Sequence, residues 1–170
     1  MQELQVVSLF PKDLPLVLSL ETDVMASLER PDQLRRNTPF MWNQCLQSPH
    51  YAVGVKIGNA LAAVAVLYVP QDGDGEDLSH LIGGIYENIV PSANYKICMV
   101  HPQYRGQGWQ CMLGQMLEAE AVQRGIRLLC STVSPHNEAS IRNLEKIGYC
   151  YHSTLSKYGF TRHLYFKMLS

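Results

Sequence analysis

The chain has 170 residues, a length typical of one domain, so we assign residues 1–170 to a single domain. Its 14 Lys and Arg nearly balance its 15 Asp and Glu, and a net charge of −1 argues against a nucleic-acid partner, which would require a strongly basic surface. A hydrophobic content of 46 % excludes a disordered chain. The longest apolar run, residues 60–69, is shorter than the ~20 residues of a membrane span, so we expect no membrane partner.

The N-terminal residues and the cysteines indicate the cellular compartment. No basic segment precedes an apolar core near residue 1, so we expect no secretory signal. The five cysteines are odd in number and widely spaced, without the paired spacing of a metal site. We therefore expect reduced thiols, no metal and a cytoplasmic location.

Hydrophobic patterning predicts both strands and helices in the first half of the chain. Thr38-Pro39 is typical of a helix start, and Gly58-Asn59 is typical of a hairpin turn. The predicted elements are a strand at 4–10, a helix within 12–29, a short helix from 38 to about 47, strands at 51–57 and 60–69, an acidic turn-rich segment at 71–77 and a helix at 78–89.

Strands alternate with helices in the second half, and a hairpin ends the pattern. Gly125 and Gly148 stand where glycine commonly ends a helix. The predicted elements are strands at 95–100 and 126–133, helices at 109–124 and 134–147, and final strands at 149–155 and 162–169 around a loop that contains Lys157, Tyr158 and Gly159. This order predicts an α+β (mixed α/β) protein built on one sheet.

The segment YKICMVHPQYRGQGWQ, residues 95–110, is typical of an anion-binding site. A strand ends in a proline-bearing turn, and a glycine-rich stretch opens an amphipathic helix. Gly106 and Gly108 let the backbone approach a ligand closely, and the free N–H groups of the first helical turn attract an anion. Arg105 adds a positive charge beside them. The segment lacks the third glycine of a dinucleotide fingerprint and the Gly-Lys-Ser/Thr of a P-loop.

A second polar segment follows one strand later. Asn137 and Ser140 lie on the same face of the helix predicted at 134–147, because residues three apart are neighbours on a helix surface. The helix ends at Gly148-Tyr149. Asn137 alone is better explained as a residue that begins the helix.

Together the two segments resemble the GNAT superfamily of acyl-CoA-dependent N-acyltransferases. The stretch 105–110 is similar to its Arg/Gln-x-x-Gly-x-Gly/Ala motif, preceded by Val100-His101-Pro102, and residues 137–149 are similar to its Asn-x-x-Ser/Ala motif. The resemblance covers about residues 51–169. It implies a central, mostly antiparallel sheet of about seven strands with helices on both faces.

The resemblance also implies acetyl-CoA as co-substrate and direct attack by a primary amine, without a covalent enzyme intermediate. Acetyl-CoA would lie where the strand ending at Val100 diverges from the strand at 126–133. The implied cofactor-binding residues are Cys98, Met99 and Val100 for the pantetheine and thioester, Arg105, Gly106, Gln107, Gly108, Trp109 and Gln110 for the pyrophosphate, and Asn137 with Ser140 for the pantetheine or phosphate region.

The sequence departs from the family pattern at Gln110, where Gly or Ala is usual, and at Leu144, where many members carry a proton-donating tyrosine. Leucine donates no proton, so Ser140, Tyr149, Tyr158 or water must serve, or the thiolate leaves unassisted. Tyr158 is our candidate acid. For the general base, Glu87 is the first candidate, with His80 and His101 after it.

The acceptor and the partners stay open at this level. The acidic segment 72–77 lacks the glycine and glutamate of an EF-hand but could attract a cationic amine. Residues 1–100 hold 6 basic and 11 acidic side chains, and residues 101–170 hold 8 and 4, which suits a phosphate-bearing cofactor and an amine acceptor. We expect a small-molecule or peptide amine, and a homodimer is compatible with the sequence. The alternatives are a non-catalytic acyl-CoA-binding regulatory module and a transferase for longer acyl chains.

Overall fold

The computed structural model describes residues 2–83 and 91–170. These residues form one seven-stranded sheet in the order β1-β2-β3-β4-β5-β7-β6, antiparallel except where β4 meets β5. The strands are β1 (Leu4–Ser8), β2 (Tyr51–Ile57), β3 (Ala60–Tyr68), β4 (Ser92–Val100), β5 (Leu128–Val133), β6 (Cys150–Lys157) and β7 (Phe160–Met168), and the α-helices are α1 (Leu14–Ala26), α2 (Pro39–Cys45), α3 (Trp109–Gln123) and α4 (Glu138–Lys146). The predicted fold class is confirmed.

Helices cover both faces of the sheet, which explains why β3 is apolar along its whole length. Val64 and Val66 pack in a core with α1 and α2, whereas Ala63 and Ala65 pack in a second core with α3 and α4. Since neighbouring side chains of a strand point to opposite faces, both sets must be apolar. The two faces are named below after their helices, the α1/α2 face and the α3/α4 face.

The β4–β5 junction decides where a site can form. The two strands pair in parallel only where Ser92–Asn94 meets Leu128–Cys130. Beyond that point the Ser131 hydroxyl donates a hydrogen bond to the Tyr95 carbonyl at 2.9 Å. The strands then diverge, because β4 continues to Val100 along β3 while β5 follows β7. The edge of β4 beyond Asn94 is therefore not paired with β5.

Several predicted boundaries differ from the structure, and three of these differences have a clear local cause. The first strand ends at Ser8, because Pro11–Asp13 forms a 3-10 turn in which the Asp13 carboxylate accepts the Phe10 N–H at 2.9 Å. The predicted helix at 78–89 is wrong for its described part, which is a 3-10 turn at Ser79–Leu81. The predicted loop around Tyr158 is a tight hairpin turn, with positive φ at Tyr158 (59°) and Gly159 (79°).

The burial of the cysteines and the apolar character of the helices can be compared with the expectations from sequence. Two of the five cysteines, Cys45 and Cys130, are buried, and Cys150 is exposed. Within residues 2–83 and 91–170, no helix is both long and apolar enough to cross a bilayer.

Candidate active site

The glycine-rich segment connects β4 to α3 and forms an open cradle of backbone. Gly106 and Gly108 have φ of 81° and 77°, a left-handed conformation that favours glycine. A Cβ added at either position would meet nothing within 4 Å, so space for a ligand lies directly above the backbone. The first hydrogen bond of α3 runs from the Met112 N–H to the Gly108 carbonyl, so the N–H groups before Met112 have no carbonyl of the helix to bind. This arrangement suits the pyrophosphate of CoA.

The predicted residues of this segment do not all contribute side chains to the cradle. The Trp109 ring is buried and stacks on Tyr104 with centroids 5.5 Å apart. The Arg105 guanidinium donates a hydrogen bond to the Ser27 hydroxyl at 2.9 Å, at the end of α1. Gln107 is exposed. Trp109 therefore offers a ligand its backbone N–H, and its side chain anchors the beginning of α3.

Gln110 connects α3 to α4, which accounts for its departure from the family pattern. Its amide nitrogen donates to the Ser140 hydroxyl at 3.1 Å, and its amide oxygen accepts from Asn143 at 2.9 Å. Asn137 begins α4, and its side chain accepts the Ser140 N–H at 3.2 Å. Glycine or alanine at 110 would leave Asn143 without this partner. The side chain thus holds the two helix starts together.

Replacing Gln110 by alanine is expected to lower the free energy of unfolding by about 1–2 kcal/mol, because two half-buried hydrogen bonds are lost. Urea denaturation measures the change. The matched control is Gln115→Ala, an exposed position on the same helix, which is expected to change stability by less than about 0.5 kcal/mol. Equal effects of the two substitutions would contradict the connecting role of Gln110.

A cleft opens where β4 and β5 diverge, and residues of both faces line it. Leu144, only 3 % exposed, forms part of the wall and carries no hydrogen-bonding group. Of the β4 residues predicted to contact the cofactor, Cys98 lines the cleft, whereas the Met99 side chain is buried on the α1/α2 face. The lining residues that matter below are Gln110, Asn137, Ser140 and Leu144 on the α3/α4 side, and Arg35, Lys96, Tyr158 and Arg162 on the other.

An ion-pair cluster that the sequence reasoning missed borders the cleft on the α1/α2 face. The Glu76 carboxylate accepts hydrogen bonds from Arg35 at 3.0 and 3.1 Å and from Lys96 at 2.9 Å. The Tyr158 hydroxyl donates to it at 3.3 Å. Burial would raise the pKa of Glu76, but the hydrogen bonds from Arg35 and Lys96 outweigh it and lower this pKa from 4.5 to about 2. Glu76 is therefore a fixed anion and a poor general base.

Tyr158 and Arg35 are held in place by this cluster. The Arg35 guanidinium lies over the Tyr158 ring, 3.9 Å from its centroid. Burial and the charge of Glu76 raise the pKa of Tyr158 to about 12, so its hydroxyl stays protonated at neutral pH. The segment that carries Arg35 is anchored further by Glu21, which accepts the Asn37 N–H at 3.1 Å and the Trp42 indole N–H at 2.8 Å.

The other predicted acid–base candidates lie elsewhere. Glu87 falls outside the described residues. His80 is exposed in the 3-10 turn at Ser79–Leu81. His101 accepts the Gln103 N–H at 3.2 Å, lies 3.4 Å from the Asp23 carboxylate and is absent from the cleft wall. The buried Tyr149 hydroxyl has no hydrogen-bond partner among the described residues, and it does not line the cleft either.

Three of the four carboxylates of the acidic segment 72–77 are bonded within the protein, that of Glu76 in the ion-pair cluster and those of Asp74 and Asp77 near the segment itself. Asp74 accepts the Tyr68 hydroxyl at 2.6 Å and the Glu76 N–H at 2.9 Å. Asp77 accepts both the N–H and the hydroxyl of Ser79, at 2.9 and 2.7 Å. Among the described residues, no cluster of three or more His, Cys, Asp or Glu side chains could hold a metal ion.

Comparison with known proteins identifies the family to which this chain belongs. The model of the acetyltransferase (GNAT) family matches residues 18–149. The chain belongs to the GNAT family. An acetyltransferase of Photorhabdus laumondii subsp. laumondii is 31 % identical over 110 residues, which cover 64 % of this chain and 75 % of that relative. The family uses acetyl-CoA, and the glycine cradle and cleft of this GNAT protein fit that co-substrate.

Solved structures share the fold of this GNAT protein. The ribosomal-protein-S18-alanine N-acetyltransferase of Escherichia coli has a TM-score of 0.73 at 19 % identity and covers 99 % of this chain and 95 % of its own. The Salmonella typhimurium protein yncA, solved with acetyl-CoA as its cofactor, has a TM-score of 0.71 at 14 % identity and covers 98 % of this chain and 94 % of its own. At these identities the likeness concerns the fold.

Proposed function

We propose that this protein transfers the acetyl group of acetyl-CoA to a primary amine of a small molecule or peptide. The observation that carries the proposal is the cleft between β4 and β5, which is lined by residues of the α3/α4 side, among them Gln110 of the helix that follows the cradle, and by residues of the α1/α2 side. A thioester bound along the edge of β4 from one side would meet an acceptor that enters from the other. Family membership supports an acyl-CoA-dependent acyltransferase, and the nitrogen acceptor is our inference.

Three groups of residues would hold acetyl-CoA. The N–H groups between Arg105 and Gln110 would bind the pyrophosphate, because the cradle concentrates unpaired donors at the positive end of a helix. Asn137 and Ser140 would contact the pantetheine from α4. The backbone of Cys98, Met99 and Val100 would hydrogen-bond the pantetheine arm and polarise the thioester carbonyl from the unpaired edge of β4.

The transfer itself needs a neutral amine and a proton for the departing sulfur. The acceptor's ammonium proton would pass to Glu87, our proposed base, or to water. As the amine nitrogen bonds to the acetyl carbon, the C–S bond breaks and its electron pair leaves on sulfur. The nitrogen's remaining excess proton would reach sulfur through Tyr158, which lines the cleft and is protonated at neutral pH. For this step the Tyr158 hydroxyl would exchange its hydrogen bond to Glu76 for one to the sulfur. Leu144 supplies no proton.

The proposal is tested by measuring CoA release from acetyl-CoA against panels of amino acids, other small amines, polyamines and peptides. Turnover with at least one class is expected, and acetyl-CoA should be used faster than succinyl-CoA or longer acyl-CoA. No turnover above background with any class, together with tight CoA binding, would instead support a regulatory acyl-CoA-binding module. Leu144 in the cleft wall is the observation that favours this second candidate.

Replacing Tyr158 by phenylalanine is expected to lower kcat by roughly 10–100-fold, because the departing sulfur loses its proton donor. KM for acetyl-CoA should stay within about twofold, since the hydroxyl faces Glu76 and not the cradle. The matched control is Tyr151→Phe, an exposed tyrosine of the same strand pair, for which wild-type kcat is expected. An unchanged kcat in Tyr158→Phe would remove Tyr158 from the mechanism.

A further inference from the structure

Arg162 is a buried cation whose guanidinium is only partly bonded. Its residue is 3 % exposed, and it lines the cleft. One terminal nitrogen, Nη1, donates to the Asp32 carbonyl. The other, Nη2, is buried without a hydrogen-bond partner among the described residues, and no carboxylate of those residues forms an ion pair with this side chain. Burial lowers the pKa of Arg162, and the charge of the Asp32 carboxylate offsets this only in part, so a further anion would stabilise the guanidinium.

The position of Arg162 separates it from the CoA cradle. Arg162 belongs to β7, and two residues further along that strand Leu164 packs with Leu128 and Cys130, on the side of the sheet opposite to Leu129 and the α3/α4 core. Since alternate side chains of a strand share a face, Arg162 projects to the α1/α2 face. The cradle and α4 lie on the α3/α4 face. An anion at Arg162 would therefore belong to the acceptor and not to the phosphates of CoA.

The charges around the cleft agree with a bound anion. Arg35 and Lys96 both pair with Glu76, so one carboxylate already serves two cations. Arg162 adds a third cation, and no carboxylate of the described residues lines the cleft, since Asp74 and Asp77 lie outside its wall and bond Tyr68 and Ser79. A cationic acceptor would meet repulsion here. The sequence-based expectation that the acidic segment 72–77 attracts a cationic amine stays an alternative prediction, which the tests below distinguish.

We propose that the acceptor is a small amine that carries a carboxylate, of the amino-acid type, and that the guanidinium of Arg162 binds this carboxylate. The proposal rests on the proposed acetyl transfer and specifies its substrate class. A guanidinium suits this ligand because its planar N–H groups match the two oxygens of a carboxylate. Recognition of the carboxylate would orient the amine of the same molecule in the cleft.

The first test compares matched acceptors on the wild-type protein: phenylalanine, phenylalaninamide and phenethylamine, and methionine with methioninamide. Rates are expressed per neutral amine, because the amide and the acid differ in amine pKa. The acids are expected to have kcat/KM at least roughly 30-fold above the amides and the decarboxylated amine. Equal values for acids and amides, with transfer observed, would overturn the proposal and leave the acetyltransferase function intact.

The second test changes the cation. Arg162→Gln retains a hydrogen-bond donor for the Asp32 carbonyl but removes the positive charge. This variant is expected to lose the preference for acids, because the KM of the acids rises at least roughly tenfold. The KM values of the amides and of acetyl-CoA should stay unchanged. Arg162→Lys retains the positive charge and should keep part of the preference for acids over amides. It replaces Arg162→Gln in the test if that variant does not fold. The control is Arg127→Gln, exposed at the opposite end of β5, with wild-type kinetics expected. An equal loss for acids and amides in the Arg162 variants would contradict the assignment.

A binding measurement separates the two proposals. Isothermal titration with phenylalanine and with phenylalaninamide in the presence of CoA reports the carboxylate site without any transfer. If no amine is acetylated but phenylalanine binds and phenylalaninamide does not, the proposed reaction fails and the carboxylate site stands. If neither binds nor is acetylated, both proposals are wrong for this ligand class.

Discussion

Replacing Gly108 by valine is expected to raise the KM for acetyl-CoA roughly 100-fold, corresponding to about 3 kcal/mol of lost binding. Gly108 has a φ of 77°, and a Cβ there would project into the open space that the cradle offers a ligand. A branched side chain would both strain the backbone and block its close approach to the pyrophosphate. Initial-rate kinetics and direct titration with CoA measure the effect.

The matched control for this substitution is Gly125→Val, at the other end of α3. Gly125 has a φ of 73° and equally open surroundings, so it shares the backbone strain of about 1–2 kcal/mol but not the proximity to the cradle. Both variants should lose similar stability, and only Gly108→Val should lose affinity for CoA. Equal KM values for acetyl-CoA in the two variants would place the pyrophosphate elsewhere.

Replacing Glu76 by glutamine is expected to lower the free energy of unfolding at pH 7 by about 3 kcal/mol. The carboxylate pairs with Arg35 and with Lys96, whose side chain is 6 % exposed, so its removal leaves a buried cation unpaired. The shift of its pKa from 4.5 to about 2 corresponds to a similar free energy. Urea denaturation across pH measures both quantities.

The pH dependence of this difference has a definite sign. Because folding lowers the pKa of Glu76, its contribution is complete above pH 4.5 and is lost as pH falls towards about 2. The stability difference between wild type and Glu76→Gln should therefore be constant from pH 6 to 8 and shrink below pH 4.5. The control is Glu138→Gln, an 82 % exposed member of an ion pair on α4, with less than about 0.5 kcal/mol expected. A pH-independent difference would mean that Glu76 is not ionised in the native cluster.

The fold was largely predictable because its signals are local. Alternating apolar residues predicted the strands, and Gly125 and Gly148, both with positive φ, stand just after the last residues of α3 and α4. The prediction at 78–89 was wrong for residues 78–83, where Asp77 caps a single 3-10 turn at Ser79–Leu81. Helical spacing of apolar residues does not distinguish a helix from a turn whose leucines pack against the sheet.

The charged half of the site was not predictable from local pattern. Two features of the sequence indicate buried cations. Lys96 interrupts an apolar strand, and Arg162 occupies a strand position that the alternation of apolar and polar residues assigns to the core. Neither signal names a partner. Glu76 meets Lys96 across 20 residues and Arg35 across 41, and Tyr158 reaches it across 82.

By itself, the sequence predicted the family, the sheet with its helices and a glycine-rich segment with free backbone N–H groups at the start of α3. These depend on short segments such as 105–110 and 137–149, in which residue order dictates φ, capping and helix direction. The tertiary structure alone decided that Glu76 is neutralised by Arg35 and Lys96, and that Arg162 is buried without an ion pair to any carboxylate of residues 2–83 and 91–170. The physical reason is that burial and ion pairing depend on strand register and on the divergence of β4 from β5, which bring together side chains that are distant along the chain.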